Sequence, residues 1–219
     1  MDLVLATRST HKIEEIQKIL DIVPDLRVLD LTEVGVSYDP VEEDLEPYAT
    51  FEENAASKAA HFRKITGLPT VADDSGIEID LLGGAPGVRS KRFAPNQGLE
   101  GLAMDQANNE HLLESLGDAP FSERTGRYVC VAVLKWGDQG EPGGSANLGD
   151  PIVVRGEAAG IILHAPRGSG GFGYDPLFFD PDLGKSFAEI TPEQKNARSH
   201  RGKAFRALAE RLATASEDS

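Results

Sequence analysis

The chain has 219 residues, 36 of them acidic and 22 basic, for a formal net charge of −14. Apolar residues make up 40% and charged residues 26%, so the chain can bury a core and is too apolar for a disordered polymer. The acidic balance argues against DNA or RNA as the bulk partner, since phosphate backbones are held by basic surfaces. A small anion in one locally basic pocket remains compatible with it. No apolar run approaches the roughly 20 residues a bilayer requires, and Met1 to Thr7 reads as a strand rather than a signal peptide. A cytoplasmic protein without a membrane partner is therefore the expectation. Cys130, the single cysteine, lies in an alternating apolar run and reads as a reduced core residue.

A first strand over residues 2 to 6 runs into Ser9 and Thr10, either of which can cap a helix carrying Ile13, Ile16, Ile19 and Leu20. A short strand near 26 to 31 precedes the acidic stretch Glu42-Glu43-Asp44-Leu45-Glu46. Thr50-Phe51-Glu52-Glu53 has the capping-box pattern, and Phe51, Ala55, Ala59 and Phe62 mark one buried helical face that ends at Gly67 and Pro69. Residues 69 to 76 predict a strand ending in Asp73, Asp74 and a turn, with a further strand-like run over 77 to 80. Gly83 to Gly87 is loop. Leu99, Leu102, Leu112, Leu113 and Leu116 suggest a helical region stopped by Gly117. Residues 127 to 136 are apolar on both faces, which points to the middle of a sheet. Residues 137 to 150 read as an exposed turn or hairpin connection. Beyond them come strands over 152 to 155 and 160 to 164, a glycine loop over 168 to 173 and an aromatic strand over 177 to 179. Thr191-Pro192-Glu193-Gln194 opens the last helix.

Basic side chains are scarce, so their clustering carries information. Arg8 and Lys12 flank the start of the first helix, where backbone N–H groups and the helix dipole favour an anion; Lys12 reads equally well as a solvated surface lysine. Gly184-Lys185-Ser186 imitates the end of a P-loop, but Phe179 stands where the first glycine is required. Gly168 to Gly173 matches G-x-G-x-x-G, yet residues 174 to 179 look extended rather than helical, which disfavours a dinucleotide fingerprint. A loop whose backbone approaches a ligand, with Phe172 or Tyr174 offering a stacking face, is the better functional account; a glycine-rich turn beside core aromatics is the plain one. Asp73 and Asp74 point to opposite faces of a strand, so one of them enters a given cleft. With Glu46 they suggest Mg²⁺, which takes one or two carboxylates and completes its shell with water and phosphate oxygens; a solvated acidic turn is the simpler reading. The run from Lys195 to Lys203 is the densest donor cluster in the chain and suits phosphate or a carbonyl-bearing ring. On a solvated helix it would be a basic face. Ser75, Ser199 and His200 lack a nucleophile-elbow motif, which argues against a serine hydrolase.

Taken in order, Thr7…Lys12, Thr50 to Ala55, Ala72 to Gly76, Gly83 to Gly87, Gly170 to Pro176 and Ser199 to Gly202 closely resemble the inosine triphosphate pyrophosphatase family. The resemblance spans nearly the whole chain. It implies an α/β fold, an elongated mixed β-sheet flanked by helices, with two lobes around a central nucleotide-binding cleft, in one domain over 1–213 with 214–219 a frayed tail. It also implies a homodimer that uses Mg²⁺ to hydrolyse ITP, dITP and XTP to the monophosphate and pyrophosphate. By matching position, Asp74 would be proton acceptor and metal ligand, Glu46 a further ligand, and Ser75 a substrate contact. Thr7, Arg8, Ser9, Thr10, His11 and Lys12 would form the phosphate loop, with Lys58 an additional contact. Phe172 would stack on the base, Gly173, Tyr174 and Asp175 would shape its pocket, and Lys195, Ser199, His200 and Arg201 would complete recognition. The family loop has asparagine where this chain has Ser9; serine lacks the amide, and Arg8 could compensate electrostatically. A non-catalytic purine-nucleotide-binding module and a hydrolase of ordinary nucleotides are the alternatives.

Overall fold

A computed structural model describes residues 1–95, 98–136 and 150–217, the last three without their side chains. The expected connection over 137 to 150 falls almost wholly outside the described residues. Seven strands form one open mixed sheet in the order β2-β1-β3-β4-β5-β6-β7. They are β1 (Asp2–Leu5), β2 (Arg27–Asp30), β3 (Thr70–Ile79), β4 (Thr125–Lys135), β5 (Ile152–Ile162), β6 (Phe178–Asp180) and β7 (Lys185–Ser186). β1 lies parallel to β2 and β3, whereas β6 is antiparallel to β5 and β7. The helices are α1 (Thr10–Leu20), α2 (Phe51–Thr66), α3 (Gly101–Leu116), α4 (Pro192–Arg198) and α5 (His200–Glu217). Among the described residues, no helix is long and apolar enough to cross a membrane.

The chain divides into two compact units, and β3, β4 and β5 each contribute residues to both. In the first unit (1–74, 130–156 and 201–219), Ser9 caps α1 by accepting the Lys12 N–H. Ile16, Ile19 and Leu20 of that helix pack with Phe205, Leu208 and Leu212 of α5 and with Leu3, Leu5, Val71 and Leu134 from the strands. Phe62 and Ala59 of α2 pack with Val4, Ala6 and Ala72 in a separate cluster. Side chains of β1 alternate between the two clusters, so the strand is covered on both faces, as its unbroken apolar run requires. Gly67 ends α2 in the left-handed conformation at φ +70°.

In the second unit (75–129 and 157–200), Leu112 and Leu116 of α3 pack with Ile77, Ile79, Tyr128, Ile162, Phe178 and Phe187. Arg124 is fully buried there, its guanidinium donating to the carbonyls of Ile162, Leu163 and Gly117. It thereby satisfies backbone acceptors that the core hides from water.

Several boundaries differ from expectation for identifiable reasons. β3 does not stop at the two aspartates; it continues through them to Ile79, because neighbouring cations neutralise Asp73 inside the sheet. The two strands expected over 152 to 164 are one, β5, in which Val154, Gly156, Ala158, Gly160 and Ile162 are all buried on the period of a half-covered strand. The last helix is two helices, since Ser199 is extended (φ −67°, ψ 156°) between α4 and α5. Leu99 and Leu102 do not join the α3 core; Leu102 is 85% exposed. α5 runs from His200 to Glu217.

Gly160 faces the Phe178 ring so closely that a Cβ would lie 2.5 Å from Cζ and 2.8 Å from the Phe179 carbonyl oxygen. Gly160→Ala should therefore lower stability in urea by about 1–3 kcal/mol through overpacking. Combined with Phe178→Leu, the loss should be smaller than the sum of the two single losses; a strictly additive pair would contradict the assigned contact.

Candidate active site

The first unit gathers its charges around the middle of β3. Successive residues of a strand face opposite ways, and Asp73 and Asp74 consequently have different neighbours. Asp73 is fully buried, and its Oδ2 accepts from Lys12 Nζ at 2.9 Å. Arg201 Nε lies 3.6 Å from the same oxygen, while Arg201 Nη1 donates to Glu15 at 2.6 Å. Lys58 Nζ donates to the Asp73 carbonyl oxygen at 2.6 Å and also to Glu46. Burial alone would raise the Asp73 pKa, but Lys12, Arg201 and Lys58 outweigh it and hold the carboxyl well below the usual range. Asp73 is thus a fixed anion and a poor proton acceptor. The Cys130 thiol lies 3.8 Å from Asp73 Oδ2, and burial followed by the Asp73 charge pushes its pKa up, in keeping with an unreactive core cysteine.

Asp74 has the opposite character. Burial, then the negative charge of Glu46, push its pKa up to about 6, against the Asn54 hydrogen bond and the charges of Lys58 and Lys12. Asn54 Nδ2 donates to Asp74 Oδ2 at 2.9 Å, and the Asn54 side chain also bonds both backbone groups of Tyr48. Capped by Thr50, α2 therefore brings Asn54 to Asp74 and, one turn later, Lys58 to Glu46. Asp74, whose proton affinity Glu46 raises, and the partly exposed Glu46 itself fit a hard divalent cation that draws its other ligands from phosphate and water. Among the described residues, no cluster of three or more His, Cys, Asp or Glu capable of holding a metal occurs, so the pair would depend on such outside ligands.

The loop before α1 differs from expectation at one position. Arg8 makes a two-pronged pair with Glu42, through Nε at 3.0 Å and Nη2 at 2.8 Å, and donates from Nη1 to the Val36 carbonyl at 2.9 Å. Its guanidinium is committed to protein acceptors at all three of these nitrogens. Ser9 is committed to its cap, and Thr7 Oγ1 accepts the Ser9 N–H at 3.2 Å. Thr10 and His11 form the first turn of α1. Of the neighbouring acids, Glu42 holds Arg8 and Glu43 accepts from Tyr38; Glu46 is the one joined to Lys58.

The second unit gathers the aromatic loop and the end of α4. Asp175 is buried and accepts from Lys195 Nζ at 2.7 Å, from the Phe172 N–H at 3.0 Å and from the Tyr128 hydroxyl at 3.3 Å. Lys195 Nζ lies 4.5 Å from the centre of the Phe172 ring, within cation–π range. His200 stacks on Tyr128 with centroids 4.6 Å apart and an 11° angle between planes. Tyr174 is directed into the scaffold, its hydroxyl donating to the Ser90 carbonyl at 2.7 Å. Ser199 is buried at the α4 end, and Ser75 lies half-buried in β3. The glycine loop does not open a helix, so it is no dinucleotide fingerprint. At Gly171 (φ +71°) a Cβ would come within 2.0 Å of Asp175 Oδ2.

Thus Lys12, Lys58, Glu46, Asp74 and Arg201 belong to the first unit's charge group, and Phe172, Asp175, Lys195 and His200 to the second unit's aromatic group. Arg201, expected to help complete nucleotide recognition, pairs with Glu15 and Asp73. Glu15, Asn54 and Tyr128 do not stand out in the sequence as site residues. Glu15 lies one helical turn from Lys12 and Asn54 one turn from Thr50 and Lys58, a weak signal; Tyr128 reads simply as core.

An open α/β sheet carries a caged anion and an acid of raised proton affinity side by side on one strand. The chain belongs to the Ham1 family, whose match covers residues 3–211. A relative from Pectobacterium atrosepticum, named dITP/XTP pyrophosphatase, is 45% identical over 212 residues, covering 97% of this chain and 98% of its own. One of the same name from Escherichia coli O157:H7 is 43% identical over 209 residues, covering 95% and 96%. The solved structure of a HAM1 protein from Coxiella burnetii superposes with a TM-score of 0.80 at 36% identity, covering 98% of this chain and 99% of that one.

The Asp74 environment bears on stability as well as on chemistry. The folded chain holds the Asp74 proton more tightly than the unfolded chain, so the stability this gives is present below about pH 4 and lost as pH rises through about 6. Asp74→Asn keeps an acceptor for Asn54 and removes the charge. In chelator-treated protein at pH 7.5 it should be more stable than the parent by on the order of 1–2 kcal/mol, the gap closing near pH 4 in denaturant titrations. Equal stability at both pH values would contradict this electrostatic account.

Proposed function

We propose that this chain hydrolyses non-standard purine nucleoside triphosphates, XTP, dITP and ITP, to the monophosphate and pyrophosphate. The observation that carries this reading is the pairing of adjacent acids with opposite proton affinities beside two lysines. Phosphoanhydride cleavage needs cations around the phosphates and a base that is ionised yet able to accept a proton near neutral pH. An acid with a pKa of about 6 meets the second need, and Lys12 and Lys58 meet the first.

In this mechanism the N-terminal end of α1 and Lys12 receive the phosphates. An ammonium has three N–H donors, and the bond to Asp73 occupies one of those of Lys12 while fixing its place. Asp74, oriented by Asn54, accepts a proton from the water that attacks the α-phosphorus. The bond from that phosphorus to the bridging oxygen breaks, and pyrophosphate leaves with the oxygen. A divalent cation, Mg²⁺ in this proposal, held by Glu46 and Asp74 would supply further neutralisation of the phosphate oxygens.

The aromatic group of the second unit takes the base. Phe172 offers a stacking face, and Lys195 supplies a donor for the 6-oxygen of hypoxanthine or xanthine. Adenine presents an amino donor at that position, which would set donor against donor and leave both unpaired. The dimeric, cytoplasmic state implied by the family resemblance belongs to the same proposal.

Incubation with Mg²⁺ and XTP, dITP, ITP or ATP should release monophosphate and pyrophosphate in equal amounts from the first three, and far more slowly from ATP. Asp74→Asn should lower kcat by about 10²-fold or more. Diphosphate plus orthophosphate as products, or full activity in Asp74→Asn, would overturn the reading.

A further inference from the structure

Asp105 and Asn109 stand four residues apart on α3 and so present their side chains on one helical face. Both reach the same residue of the aromatic loop. The Gly173 N–H donates to Asp105 Oδ2 at 2.9 Å, and the Gly173 carbonyl accepts from Asn109 Nδ2 at 2.9 Å. Asn109 Nδ2 also donates to the Asp105 carbonyl at 2.9 Å, which ties the amide to its own helix. Gly173 has φ +61°, a left-handed conformation that glycine adopts readily, and it lies in a turn outside the sheet. One helix face therefore replaces the secondary-structure bonds this backbone lacks.

Neighbouring bonds show how far the fastening extends. Asn108 accepts from the N–H groups of Phe93 and Ala94 at 3.1 and 2.8 Å and donates to the Lys91 carbonyl at 3.1 Å. The Tyr174 hydroxyl donates to Ser90 in that same stretch. Residues 172 to 175 are thus held by α3 at Gly173, by the 87–92 turn at Tyr174 and by Asp175 at the Phe172 N–H. All of these partners lie within the second unit.

We propose that Asp105 and Asn109 are positioning residues for base recognition, which clamp Gly173 and so fix the Phe172 ring before a purine arrives. This rests on the reading of Phe172 as the stacking face. A clamp of this kind acts on affinity for the base and leaves the phosphate chemistry alone, because preorganisation removes an ordering cost from binding. Without it, the Gly173 N–H and carbonyl turn to water and the ring loses its fixed pose.

The test measures binding of IMP and, separately, of pyrophosphate with Mg²⁺ to the full chain, together with ITP turnover. Asp105→Leu and Asn109→Asp should each weaken IMP and raise the ITP KM by about tenfold, the scale of one lost hydrogen bond to backbone. Pyrophosphate affinity and kcat should stay within about twofold to threefold. Asp105→Asn, which keeps an acceptor for the Gly173 N–H, should bind IMP as the parent does. Asn109→Asp preserves side-chain size and exchanges donor for acceptor, so it reads the clamp even if Asp105→Leu fails to fold. Phe172→Ala serves as the control. Parent-like IMP binding in the clamp variants alongside loss in Phe172→Ala overturns the clamp and leaves the base-site reading intact. Parent-like IMP binding in Phe172→Ala as well overturns both. Equal weakening of IMP and pyrophosphate, or no rescue by Asp105→Asn, would mean that α3 has only a structural role and would overturn the proposal.

Discussion

The first unit depends on keeping one carboxylate ionised where water cannot reach it. An unpaired charge at such a depth is too costly to persist and would neutralise itself by taking up a proton. Asp73 remains charged because three cations converge on it from α1, α2 and α5: Lys12 on its side chain, Lys58 on its carbonyl, and Arg201 within ion-pair distance. The relation is mutual. The buried guanidinium of Arg201 and the ammonium of Lys58 hold their own protons against burial because Asp73 and nearby glutamates stand beside them. Residues 12, 58, 73 and 201 are thereby gathered into one charge-compensated group.

The strand period turns this arrangement into chemistry. Asp74 is one residue away and on the other face, so it shares the fixed backbone of its neighbour without sharing its cations equally. It accepts a hydrogen bond from a neutral amide, Asn54, and the charge that acts on it most strongly after burial is negative. Two identical side chains on adjacent residues thus acquire opposite proton affinities by environment alone. The second unit solves a related problem with Asp175 and Lys195, where a buried acid is satisfied by an ammonium, a backbone N–H and a phenol. There the charge pair holds an aromatic loop in place.

Periodicity and caps make most of the fold legible: the helix from Phe51 to Gly67 follows from its Thr50 cap, its apolar stripe and its glycine stop, and β4 from an apolar run on both faces. The exceptions lie where long-range partners override local signals. Asp73, Asp74 and Gly76 look like the end of a strand until Lys12 and Arg201, distant in sequence, are brought to them. Ser199 looks helical within a donor-rich run, yet its extended backbone divides that run, leaving Lys195 in one unit and Arg201 in the other. Motif order singles out Asp74, Glu46, Lys12 and Lys58 as candidates. The supports behind them, Glu15, Asn54, Asp105 and Asn109, escape it, because an amide or carboxylate on a helix surface looks the same whether it meets water or a buried partner.

Arg8 shows why charge type alone is a poor guide to a phosphate site. Next to a helix N-terminus, an arginine is the obvious candidate for an anion contact. Planar and bidentate, its guanidinium is also the best available match for a carboxylate, and the acidic stretch supplies one in Glu42. In a chain with 36 acidic residues, a partly exposed arginine has many competitors for its fork, whereas a lysine fixed on a buried aspartate has few. Lys12 is held by Asp73 with donors to spare, while Arg8 commits Nε, Nη1 and Nη2 alike to protein oxygens. In the proposed site, anion binding by the loop therefore falls to the helix terminus and Lys12, and the arginine fastens the loop to the acidic turn that precedes Glu46.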